Sequence, residues 1–76
     1  MTSEITKLKI LGKNIQQARK IKGLSQNALA EIVDISREHL AKIETAKRCI
    51  SIGLLFKISD ALGTHESNLL DFKNKI

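Results

Sequence analysis

No proline, tryptophan or tyrosine occurs in the 76 residues, and only two phenylalanines and four glycines do. Without proline, nothing in the chain forces a helix to break, so most of it between the glycines is free to be helical. With so few rings, any core must be aliphatic. The lone Cys49 excludes an internal disulfide and suits a reducing cytoplasm, the expected location. No apolar run approaches the roughly 20 residues of a membrane span, and no signal peptide is visible. What is present is ordinary for one small globular domain, 1–76 with a core of about 11–72: 42% hydrophobic residues and 28% charged ones.

The charge is unevenly spread. The formal net charge is +5, and residues 7–22 hold six basic side chains (Lys7, Lys9, Lys13, Arg19, Lys20 and Lys22) without one acid. A solvated helix face would explain this; so would a polyanionic partner, which a basic pole on a small helical domain favours.

Apolar spacing predicts five helices. The first spans about Leu11–Lys22, with Ile5 and Leu8 near enough to helical spacing to allow an earlier start, and ends at Gly23. Ser25 caps a second helix with Leu29, Ala30 and Val33 inward. Asp34 and Ile35 form a polar turn, and Ser36 caps a third helix over 36–44 that hides Leu40 and Ile43 and shows Arg37, Glu38, His39 and Lys42. A loop carries Lys47 and Arg48. The fourth helix runs over about Ser51–Leu62 to Gly63, with Leu55, Ile58, Ala61 and Leu62 inward, and the fifth over about Glu66–Phe72. Residues 73–76 are expected to fray. Two short helices about a tight turn, the second showing polar side chains, are suited to entering a DNA major groove.

Leu24-Ser25-Gln26, Leu29-Ala30, Ile35-Ser36 and Leu40-Ala41-Lys42-Ile43-Glu44 resemble the lambda-repressor-like, Cro-type (XRE) helix-turn-helix regulators. The likeness continues through Ile50-Ser51-Ile52, residues 55–63 and Leu69-Leu70. It implies an all-α, compact five-helix lambda-repressor-like domain with the helix-turn-helix at helices 2 and 3. It also implies a transcription regulator for double-stranded DNA. The size and the Arg48…Ile50-Ser51 segment look like the stand-alone controller proteins of restriction–modification systems, and small phage-type repressors look nearly as similar. Two positions depart from the pattern: Asp34 and Ala46 stand where the family usually has glycine. Alanine is poor at positive φ, so the loop after helix 3 is expected to turn differently here.

Candidate site residues follow. Ser36, Arg37, Glu38, His39 and Lys42 are the expected base readers: Arg37 offers a fork to guanine, and Glu38 accepts from cytosine. Gln26 and Asn27 at the start of helix 2, Lys13 and Asn14 on helix 1, and Lys47 and Arg48 in the loop are expected at phosphates, although for Lys13, Asn14, Lys47 and Arg48 plain solubilising polarity is nearly as good an account. The resemblance pairs Arg19 with Glu44, an ion pair that would lock the reading helix to its scaffold. A homodimer is expected through Leu54, Leu69, Leu70 and Phe72, with Phe56 and Ile76 also available. Glu31 and Asp34 make an acidic spot, and the resemblance implies that such a spot can touch RNA polymerase.

His39, His65 and Cys49 lack zinc-ligand spacing, no catalytic constellation emerges, and neither a cofactor nor a small-molecule ligand is evident. Residues 7–22 have no strong aromatic or leucine-rich face, which speaks against a membrane surface. The competing class is a protein-interaction module such as an antitoxin, which a co-purifying partner would reveal.

Overall fold

Three serines start three helices in the same way. Ser25, Ser36 and Ser51 each hold extended backbone, and each hydroxyl accepts a bond from the N–H three residues on, at Ala28, His39 and Leu54 (3.0, 3.0 and 3.1 Å). Each satisfies one amide that the first helical turn leaves unpaired, a contribution of about 1 kcal/mol. The computed structural model describes residues 4–72, and among them five helices and no strand occur: α1 Glu4–Ile21, α2 Gln26–Ile32, α3 Arg37–Glu44, α4 Ile52–Leu62 and α5 Glu66–Leu69. The end expected to fray (73–76), Ile76 with it, and residues 1–3 lie outside the described region.

α1 begins at Glu4, a full two turns ahead of the expected Leu11. The apolar spacing of Ile5, Leu8, Leu11 and Ile15 continues without a breaker, and an acid in the first turn complements the helix dipole. α5 is shorter than expected and stops at Leu69. The Asn14 side chain on α1 donates to the carbonyls of both Leu69 (2.9 Å) and Asp71 (3.2 Å), drawing this segment across α1 and out of helical register.

The core is almost wholly aliphatic. Leu11 and Ile15 meet Leu29, Ala30, Val33, Leu40, Ile43, Leu55, Ile58, Leu62 and Leu69, with Ala18, Leu54, Ala61 and Phe72 packed at its edge. Each fully buried leucine or isoleucine contributes about 1.5–3 kcal/mol. α1 packs on α3, α4 and α5, and α2 packs on α3 and α4, so α3 is held from behind by two helices.

Candidate nucleic-acid interface

The turn between α2 and α3 is built on Asp34 at φ +60°. Its N–H donates to Glu31 O (3.2 Å) and that of Ile35 to Ala30 O (2.9 Å), closing α2 as a glycine would. A short polar side chain tolerates this left-handed geometry at small cost. Ala30 is buried beneath the crossing, where its single methyl lets the helices approach.

The back of α3 is fixed by charge as well as by Leu40 and Ile43. Arg19 reaches Glu44 with two bonds, Nε to Oε2 at 2.8 Å and Nη2 to Oε1 at 3.2 Å, and its Nη1 donates to Leu24 O at 2.8 Å. Gln26 Nε2 adds a third donor to Glu44 Oε1 at 3.0 Å. Only 7% and 1% of the Arg19 and Glu44 side chains are exposed. Such a pair adds little net stability over apolar packing, but its forked geometry allows one orientation, so the benefit lies in position. Gln26 is expected to bond both a phosphate and a helix 3 side chain, and its bond to Glu44 supplies the second of these.

A further contact was missed from the sequence. A Cβ on Gly12 would lie 2.5 Å from Glu44 O and 2.7 Å from Ile43 O, so α1 crosses the end of α3 backbone to backbone. Two features pointed to it: a helix interior usually avoids glycine at a cost of about 1 kcal/mol, and Gly12 lies two turns before Arg19 on one face.

Asn14 requires a correction. Expected at a phosphate, it is buried, with its amide turned to Leu69 and Asp71. Leu69, expected in a dimer interface, is 2% exposed and belongs to the core. Leu54 and Phe72 are half-buried against that core, and Leu70 is exposed.

Of the other candidates, Arg37, Glu38, Lys42 and Lys47 line one shallow concavity, and Lys13 lies in another with Lys9 and Gln17. Arg37, Glu38 and Lys42 are exposed on α3, and His39 is half-buried at its flank. Ser36 is exposed, its oxygen serving the cap. Lys13, Asn27, Lys47 and Arg48 are exposed. The loop after α3 turns just where glycine is usual, contrary to expectation: Ala46 takes φ +62°, with its N–H on Ile43 O and that of Lys47 on Lys42 O (3.2 and 2.7 Å). The two bonds satisfy the last carbonyls of α3 and hold the alanine there.

A helix-turn-helix family model, HTH_3, matches residues 15–69. The chain belongs to this family. Among relatives of this HTH_3 domain, an HTH-type transcriptional regulator of Rickettsia conorii is 44% identical over 52 residues, 68% of this chain and 42% of the relative. Control protein C.BamHI of Bacillus amyloliquefaciens is 38% identical over 73 residues, 95% of this chain and 88% of the relative. The crystal structure of the restriction–modification controller protein C.AhdI from Aeromonas hydrophila superposes with a TM-score of 0.79 at 29% identity, over 82% of this chain and 94% of that one. The domain spans under half the length of the two Rickettsia regulators it matches (42% and 40%). Among its described residues no group of histidine, cysteine and acidic side chains could hold a metal ion, and no helix is long and apolar enough to cross a membrane.

Proposed function

We propose that this HTH_3 domain is a sequence-specific, homodimeric DNA-binding transcription regulator that inserts α3 into the major groove of a pseudo-palindromic operator. One observation carries the reading: the back of α3 is locked by Arg19, Gln26 and Glu44, while Arg37, Glu38 and Lys42 stand free on its front. Rigid backing with a charged, unencumbered face is what base readout requires. Arg37 and Lys42 read bases and Glu38 accepts from cytosine. Lys13, Asn27, Lys47 and Arg48 neutralise phosphates at the margin. The names control protein and controller protein among its relatives support the regulatory role.

Dimerisation supplies the second half-site, roughly 10 bp away. With Leu69 in the core, the exposed large apolar side chains on α4 and at the end of α5 are Ile52 and Phe56, one turn apart, and Leu70. They are 64%, 49% and 41% exposed. Glu31 and Asp34, exposed at the end of α2, form the spot for RNA polymerase. Charge reversal at both should lower promoter output with operator affinity intact; unchanged output removes that role.

Selection from a randomised duplex pool, followed by sequencing, tests the whole reading. A two-fold symmetric motif that relaxes or disappears in the Arg37→Ala/Lys42→Ala variant is expected. Weak, salt-sensitive binding without a motif would sink it.

A further inference from the structure

The front of α3 is not uniformly charged. Leu40, Ile43 and Glu44 mark its inner side, and at about 100° per residue the opposite side is centred on Glu38, Ala41, Lys42 and Thr45. Arg37, Glu38, Ala41, Lys42, Thr45 and Lys47 together line a shallow concavity of about 320 Å³. All are exposed except Ala41, which is half-buried and therefore lies deepest. The Thr45 hydroxyl is already engaged, donating to Ala41 O at 2.8 Å. What Thr45 has left for a partner is its γ-methyl and an acceptor lone pair. The concavity thus has a methyl at its base, a second beside it, and on its rim the cations Arg37, Lys42 and Lys47 with the carboxylate of Glu38.

In the major groove, a base edge carries hydrogen-bonding groups and only one apolar feature, the 5-methyl group of a pyrimidine, which in unmodified DNA belongs to thymine. An Arg37 or Lys42 side chain aimed at a neighbouring base would leave Ala41 and Thr45 over the next position. We infer that Ala41 and Thr45 are specificity-determining residues that receive the 5-methyl group of one thymine in each half-site. This rests on α3 being the DNA-reading helix and names what its uncharged centre reads. Lys42 and Lys47 hold the backbone and flanking base close enough for the methyl contact to be dry.

Substituting uracil for each thymine of the selected site, one at a time, removes only the methyl group. One thymine per half-site should respond, with affinity falling about fourfold, the effect of withdrawing one methyl from apolar contact. The thymine-to-uracil ratio at that position should shrink toward one in Ala41→Gly or in Thr45→Ser. A ratio within each variant cancels any loss of folded protein. Cytosines in the same site are methylated at carbon 5 in parallel, with no gain expected. The inference is overturned by a motif whose thymines all tolerate uracil, by a ratio unchanged in both variants, or by a gain at methylated cytosine in place of a loss at uracil. Selection that yields no motif overturns the DNA-reading assignment first, and this one with it.

Discussion

Ala46 holds φ at +62° without the freedom of glycine, at the point where α3 hands over to the loop of Lys47 and Arg48. An L-residue in this region bears a penalty of roughly 1–2 kcal/mol, partly offset because alanine loses less backbone entropy on folding. Ala46→Gly should therefore stabilise the fold by about 0.5–1 kcal/mol, raising the melting midpoint by a few degrees in a thermal scan. A second residue-scale effect concerns Glu66. Its own backbone N–H and then the Ser59 hydroxyl at 3.1 Å hold its carboxyl below the usual 4.5, against a smaller upward push from desolvation, and the adjacent His65 adds the least downward pull. An acid whose pKa is lowered by folding stabilises above its unfolded value and loses that contribution as pH falls through the folded one. The α4–α5 junction should loosen below about pH 4.5, and Glu66→Gln should flatten the acid limb of a stability-against-pH curve.

At the scale of elements, α1 governs how α3 is presented. Besides the apolar packing of Leu11 and Ile15, it meets α3 at Gly12, where the backbones touch, and at Arg19, where the ion pair fixes rotation. Two glycine substitutions should then diverge. Gly53 on α4 has open space around its missing Cβ, so Gly53→Ala should be neutral or stabilising by up to about 1 kcal/mol. Gly12→Ala must displace main chain, and should lower both the denaturant midpoint and the ratio of operator to random-duplex affinity. Truncating Glu44 to alanine leaves Arg19 buried alone and should cost about 3 kcal/mol. The double replacement Arg19→Met/Glu44→Leu should recover much of that in urea melts while leaving operator discrimination poor, because Gln26 also loses its acceptor. The helix pair was legible because its signals are local: serine caps, the 29-30-33 and 40-43 apolar spacing, and the Arg19…Glu44 likeness to known regulators. The early start of α1 was open to the same local reading, through Ile5 and Leu8, but the truncation of α5 and the burial of Asn14 were not legible. Each depends on a contact between segments some 55 residues apart, and no local pattern distinguishes an asparagine facing a carbonyl from one facing a phosphate.

For the whole molecule, the expected behaviour is that of a small cation with one exacting face. If Lys47 meets a phosphate, Lys47→Ala should weaken binding alike for operator and random duplex and reduce the slope of log affinity against log salt by about 1. Phe56→Glu places a charge in the exposed apolar surface of α4. If the proposed dimer forms through this surface, sedimentation should find monomers at concentrations where the unsubstituted chain pairs, with two-half-site DNA bound more weakly and single half-sites unaffected. The Asn14 clasp bears on the order of events during synthesis. α1 leaves the ribosome ahead of α2 to α5, yet its inner face awaits Leu69, and its buried amide awaits the carbonyls at 69 and 71. α3, complete by residue 44, thus emerges well before the scaffold behind it can close. A nascent chain with residue 68 as the last to clear the exit tunnel should be digested by protease, and one that has cleared residue 72 should resist. If α3 reads DNA, competence to bind an operator should appear only once residues 69–71 have emerged.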